Sequence, residues 1–279
     1  MKIALLTDSS ADINKEEAIE RNLHILRFPL IVDAEDYIEG ETITLEDFTQ
    51  RMYDGAHAKT SQPSVGVLLE TWDNLLKEHD HVIYACISKG ISGAYQTAVA
   101  QSRNYEGKVT VLDTKSVAYP HQTLCSYIHK MIDLGYSPEK IKEEVEASEK
   151  MYALLIPGDL KYLKRGGRIS AQAAALAGLL KIVPILKVEE GEIDVFDKVR
   201  TSKKALERAL SVFAGMDNYE DYHWYVIHSD AIEKAEELAG KLKELTGQPV
   251  DIKEFYPIIM AHTGPGTVAL GRIRKFNYE

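Results

Sequence analysis

The chain has 279 residues, 45% apolar and 27% charged. That excludes bulk disorder and leaves two domains or one large α/β domain as the options. With 33 basic against 43 acidic residues the net charge is −10, a field that repels nucleic-acid phosphates and anionic membrane surfaces. An anionic ligand therefore needs a local basic or hydroxyl-rich site.

In chain order, "IALLT" (3–7) predicts a short buried strand and 14–22 a helix, with Asn14 and Glu17 at capping-box spacing. "LHILRFPLIV" (23–32) reads as one strand region and "TLEDFTQRMYD" (44–54) as a helix. After "KTSQPSVG" (59–66) a helix runs from about 64 to 78, with Ser64 as its cap, followed by the strand "HVIYACI" (81–87). A helix at 92–104, a strand at 108–114 and helices at 117–134 and 138–149 complete this half. Strands alternating with helices imply a mainly parallel sheet covered by helices.

The second half has a different pattern. It reads as a strand at 152–157, a short basic helix ending at the pair Gly166-Gly167, and a hairpin over 183–201 around an acidic Gly turn. A helix at 203–214, a strand at 222–229, a helix at 231–246, a strand at 250–259 and a final strand at 267–275 follow. The expectation is an α/β domain over 1–150 and an α+β domain with a mixed sheet over 151–279, some early segments joining the second sheet.

Cys86 and Cys125 lie in no CxxC or CxxH spacing, so no metal site and no disulfide framework is indicated. Without a targeting segment, a cytoplasmic location is expected. The longest apolar run, 171–186, is broken by Lys181 and Pro184 and is too short to span a bilayer.

Five places carry candidate chemistry. "LLTDSSAD" (5–12) ends the first strand, where open α/β sheets build their ligand crevice. No G-x-S-x-G elbow surrounds its serines, so Asp8, Ser9 and Ser10 read as groups that satisfy loop amides. In "KTSQPSVG" one helix cap needs one hydroxyl. With Ser64 in that role and Pro63 stiffening the approach, Thr60, Ser61 and Gln62 are left at the amino end of a helix, which favours anions. "ISKGISGAYQTA" (87–98) places Ser92 and Gly93 at another strand-to-helix turn, as an anion cradle or a plain cap. Arg200 ends the hairpin and His262 opens "HTGPG", whose glycines and proline fix the backbone path.

"TDSSAD", "TSQPS", "ISKGISGAYQTA", "YLKRGGRI", "KIVPIL", "RTSKKA" and "HTGPG" stand in the order found in the DegV family, which this chain resembles from residue 5 to about 270. The resemblance implies a two-domain lipid-binding protein, with a tunnel between the domains that encloses one long-chain fatty acid. Several members are the fatty-acid-binding subunit of bacterial fatty acid kinase. They present the carboxylate to a separate ATP-using catalytic subunit for conversion to acyl-phosphate, with no catalysis and no cofactor of their own. By resemblance Thr60 and Ser92 hydrogen-bond the carboxylate, Ser61 and Gly93 lie beside them, and Arg200 and His262 complete the network. Whether Thr60 or Ser61 makes the closer contact is open. A chain of ~14 to 16 carbons gains on the order of 10 kcal/mol on burial, while its carboxylate needs partners. The small residues Ala173, Ala174, Ala175, Ala177 and Gly178 suit a tunnel wall or an ordinary core helix.

Lys161, Lys164, Arg165 and Arg168 would share one helical face, as a solvated surface or as a docking patch for the kinase subunit. The chain departs from the family at "VAYPHQT", where Tyr119, Pro120 and His121 replace a Gly-rich helix opening, at Lys89 and at Ser202. The competing readings are a hydrolase or phosphotransferase using Asp8, Ser10 or Ser92 with His262, and a lipid sensor with a non-kinase partner.

Overall fold

The computed structural model describes residues 1–147, 151–176 and 182–278. Chain contacts divide it into two compact units, one from residues 1–44, 60–148 and 278–279, the other from 45–59 and 149–277.

Through residue 147 the elements are β1 (Ile3–Asp8), α1 (Lys15–Glu20), β2 (His24–Leu26), β3 (Leu30–Val32), β4 (Glu35–Tyr37), α2 (Leu45–Tyr53), β5 (Ala58–Thr60), α3 (Val65–Leu75), β6 (His81–Cys86), α4 (Ala94–Ser102), β7 (Val109–Asp113), α5 (Ala118–Asp133) and α6 (Pro138–Glu146). Local chemistry sets several starts. Asn14 and Glu17 form the expected reciprocal capping box on α1, and Ser64 Oγ accepts the Val67 amide at 3.3 Å. Ser137 caps α6 with Pro138 in its first turn.

The sheet of the first unit is parallel, in the order β2-β1-β6-β7, and every residue of β6 is buried. A strand apolar on both faces is what a helix-covered parallel sheet requires. Trp72 of α3 is fully buried and stands edge-on to Tyr84 of β6, which seats α3 on the sheet. The single strand expected over 23–32 is two: β2 joins the parallel sheet, whereas β3 pairs antiparallel with β4. Pro29, which has no N–H to give a ladder, lies in the break.

From residue 151 onward the elements are β8 (Met151–Ile156), α7 (Lys161–Gly166), α8 (Ala171–Ala175), β9 (Val183–Glu189), β10 (Glu192–Val199), α9 (Ser202–Ala214), β11 (Tyr222–His228), α10 (Ile232–Thr246), β12 (Val250–Glu254), α11 (Pro257–Thr263) and β13 (Val268–Arg274). The sheet runs β10-β9-β8-β13-β11-β12 and is antiparallel except where α10 carries the chain from β11 to the parallel β12. Glu190 and Gly191, both at positive φ, make the tight turn of the β9–β10 hairpin. Its core gathers Leu154, Ile185, Phe213, Trp224 and Leu238. Phe213 lies edge-on to Tyr152 at 6.0 Å and to Trp224 at 5.6 Å, and its full burial contributes about 1.5–3 kcal/mol of transfer free energy.

The strand expected over 250–259 stops at Glu254; the rest of that run is α11. Ile258 and Ile259 favour strands, but Pro257 occupies the first helical turn, where its missing N–H costs nothing, and the helix is buried almost all round. Ala177 and Gly178 of the expected tunnel-wall run, and the residues around the expected boundary at 150, lie outside the described residues. Of that run's alanines, Ala173 is fully buried and Ala175 exposed.

Candidate ligand-binding site

In the first unit the carboxyl ends of β1, β6 and β7 lie along one edge of the parallel sheet. Thr60 is the last residue of β5 and partly buried; Ser61 follows, exposed, its amide bonded to the Pro29 carbonyl at 3.2 Å. Ser92 and Gly93 open α4, with Ser92 partly buried and Gly93 exposed. Gly93 holds the N-cap position and Ser92 Oγ accepts the Ala94 amide at 3.3 Å, so Ser92 serves the helix start from one residue further out.

The two hydroxyl stretches are joined side by side. Thr97 Oγ1 donates to Gln62 Oε1 at 3.1 Å, and a Cβ on Gly93 would stand 3.7 Å from that same oxygen. Among the described residues, nothing accepts the amides of Gly93, Tyr95 and Gln96. The amino end of nine-residue α4 thus presents N–H groups and the positive end of its dipole beside Ser92. That is the donor set a carboxylate uses.

In the second unit, His262 is in the last turn of α11. It lies so close to α7 that a Cβ on Gly166 would come within 2.3 Å of its Nδ1. Burial, with a smaller contribution from the Arg168 charge, drives its pKa down to about 4, so the imidazole is neutral at neutral pH. Arg200 is exposed just past β10, ahead of Thr201, which caps α9. The described geometry thus joins Thr60 and Ser61 to Ser92 and Gly93 through Gln62 and Thr97, and His262 to Arg168. Within the second unit, no hydrogen bond or ion pair among the described residues joins Arg200 to His262.

The basic residues do not share one helical face. α7 ends at Gly166, and Gly167 turns the chain through left-handed backbone at φ 67°. Arg168 therefore falls beyond the helix, partly buried, its guanidinium donating to the Gly166 carbonyl. Lys161 pairs with Asp159 at 3.0 Å, and Lys161 and Arg165 both lie over the Tyr162 ring. Lys164 and Arg165 remain exposed on the helix.

Asp8 and the serines behave as the loop reading expects. Asp8 accepts the Ser10 and Ile87 amides, and Ser9 Oγ accepts the Phe28 amide at 3.0 Å. Ser10 stands between Asp8 and His121, its Oγ 2.5 Å from Asp8 Oδ1 and 3.3 Å from His121 Nδ1. All three are fully buried. A nucleophilic serine must reach a substrate, and its base must be oriented by the acid; here the serine is in the middle and sealed off. His121 had no legible partner in the sequence, because 111 residues separate it from Ser10.

This is a two-unit α/β protein with a helix-covered parallel sheet, a separate mixed sheet, and a carboxylate-suited edge of hydroxyls and helix amides. The chain belongs to the DegV family: the family model, described as "Uncharacterised protein, DegV family", matches residues 2–275. DegV domain-containing protein spr1415 of Streptococcus pneumoniae is 35% identical over 279 residues, 98% of this chain and 99% of the relative. The crystal structure of fatty acid binding DegV family protein SAG1342 from Streptococcus agalactiae has a TM-score of 0.90 at 33% identity, covering 99% of this chain and 100% of that one. DegV, a fatty acid binding protein from Bacillus subtilis, has a TM-score of 0.86 at 28% identity, over 99% and 100%. A stearic acid-binding protein from Eubacterium ventriosum has 0.88 at 25%, over 98% of each chain. Among the described residues no helix is long and apolar enough to cross a membrane, and no cluster of His, Cys, Asp or Glu suits a metal ion.

Proposed function

We propose that this protein binds one long-chain fatty acid in an internal tunnel and presents its carboxylate to a separate kinase subunit for phosphorylation to acyl-phosphate. The observation that carries the fatty-acid reading is the near full-length likeness to solved structures described as fatty-acid binders. The pairing of the Thr60 and Ser92 stretches supports it, since two hydroxyls and open helix amides are what a desolvated carboxylate needs. Thr60, Ser61, Ser92, Gly93, Arg200 and His262 are the proposed head-group ligands. The neutral His262 would gain proton affinity when phosphorylation adds negative charge to the head.

Gentle denaturation of the purified chain followed by mass spectrometry should release fatty acid at about one per chain. Thr60→Val should keep the fold and weaken palmitate binding roughly 10- to 100-fold, the range for losing one hydrogen bond to a charged group. Unchanged affinity would remove Thr60 from the site. Addition of an ATP-using catalytic subunit should then yield acyl-phosphate only in the mixture.

Lys164 and Arg165, exposed on α7 beside the equally exposed Lys161, are the proposed contact with that subunit. Lys164→Glu combined with Arg165→Glu should weaken kinase-dependent turnover and leave palmitate affinity unchanged. Equal turnover would discard the docking role.

A further inference from the structure

The first unit buries a carboxylate at the end of β1, held by hydrogen bonds from Ser10, Tyr84 and Ile87. Asp8, at the carboxyl end of β1, is fully buried, and among the described residues its carboxylate pairs with no cation. It is held by donors alone: the Ser10 amide at 3.1 Å, Ser10 Oγ at 2.5 Å, Tyr84 OH at 3.2 Å and the Ile87 amide at 2.9 Å. Behind Ser10, His121 places Nε2 3.1 Å from both Thr7 Oγ1 and the Ala85 carbonyl. Burial disfavours its protonated form, so His121 acts as a neutral strut tying α5 to β1 and β6. A sheet edge does not need a buried carboxylate for stability, and an apolar residue there would avoid the desolvation cost. Such departures from ordinary core chemistry concentrate where function requires a fixed geometry.

What Asp8 fixes is the start of the Ser92 loop. Ile87 is the first residue after β6, and its amide is the one Asp8 Oδ2 accepts. From there each turn of the loop is built on the one before. The Ser88 amide bonds the Ser116 carbonyl, the Ser88 carbonyl accepts the Ile91 and Ser92 amides, and Ser88 Oγ accepts the Gly90 amide. The Lys89 amide bonds Asp113 Oδ1 at 3.2 Å.

We propose that Asp8, braced by Ser10 and His121, is a positioning residue that sets the place of Ser92 and Gly93 for the ligand carboxylate by anchoring the loop at Ile87. This role rests on the fatty-acid reading above. Asp8→Asn keeps the shape but replaces one acceptor with an NH2 group that faces other donors. Ser10→Ala removes one strut and leaves the carboxylate.

The test uses the full chain. Palmitate transfer to albumin gives the dissociation rate, and hydrogen exchange reads the amides of 87–93. Phe213→Leu, in the second unit's core, serves as a control for lowered stability alone. Asp8→Asn should release palmitate about tenfold faster, a change of 1.4 kcal/mol, and the loop amides should exchange at least about tenfold faster by the same reasoning. Ser10→Ala should shift both in the same direction by a smaller factor, and it carries the test if Asp8→Asn fails to fold. Phe213→Leu should change neither. Wild-type chain that retains no palmitate overturns the fatty-acid reading, and exchange then decides by itself whether Asp8 anchors the loop. Palmitate binding by wild type, with either release or loop exchange unaltered in both variants, overturns the positioning role.

Discussion

Gly264→Ala should cost about 4 kcal/mol of stability. Gly264 follows α11 directly and has φ 76° and ψ 161°, a region that only glycine enters without strain. An added Cβ would also fall 2.1 Å from Cδ2 of Tyr162, whose ring is buried against it. Backbone strain of about 1–3 kcal/mol and overpacking of about 1–3 kcal/mol add because they act on different coordinates. Gly166→Ala lacks the backbone strain and meets a side chain, the His262 ring, so a smaller loss of about 1–3 kcal/mol is expected. Urea denaturation of the three proteins gives the comparison, and equal midpoints for Gly264→Ala and wild type would show that Tyr162 yields freely. Because Lys161 and Arg165 both rest on the Tyr162 ring, the Gly264 variant should also disturb the cationic surface of α7.

The second large effect is on the acid side of the stability curve. His262 has its pKa lowered from 6.5 to about 4, mainly by burial and secondarily by Arg168. As pH falls below 6.5 the unfolded chain takes up a proton at this position while the native state does not. Stability is therefore fully present above 6.5 and is lost as pH falls toward 4; the difference amounts to about 3 kcal/mol by pH 4. His262→Gln removes this dependence. Other histidines whose pKa burial lowers, His24, His81, His121 and His223, slope the curve in the same sense, so the two proteins must be compared at each pH. In lipid-free protein the wild type should lose about 3 kcal/mol more than His262→Gln between pH 7 and pH 4. Parallel curves would mean that the imidazole is as hydrated in the folded chain as in the unfolded one.

The parts legible in the sequence are those that depend on neighbours along the chain. The caps at Asn14 and Ser64, the buried run of β6 and the hairpin turn at Glu190-Gly191 each rest on residues a few positions apart. The DegV motifs were legible for the same reason, as short strings with fixed order. Misreadings arose where local preference and tertiary setting disagree. Two isoleucines after Pro257 read as strand, yet Pro257 opens a helix there and tertiary packing buries α11 almost all round. Arg168 has helical spacing from Lys161, but the helix ends at a left-handed glycine before reaching it.

Sequence alone therefore determined the alternation of elements, the two kinds of sheet, the helix starts and the family, because periodicity, capping and motif order are written within a few residues. Tertiary structure decided that Gln62 reaches Thr97, that Ser10 stands sealed between Asp8 and His121, and that 45–59 is grouped with the second unit. It also decided that His262 is pressed against Gly166 and kept neutral. Each of these depends on which distant residues are brought within a few ångströms and on how far water is removed. The stretch "KTSQPSVG" shows the division: its cap is a matter of three residues, and its partner across the loop is a matter of the fold.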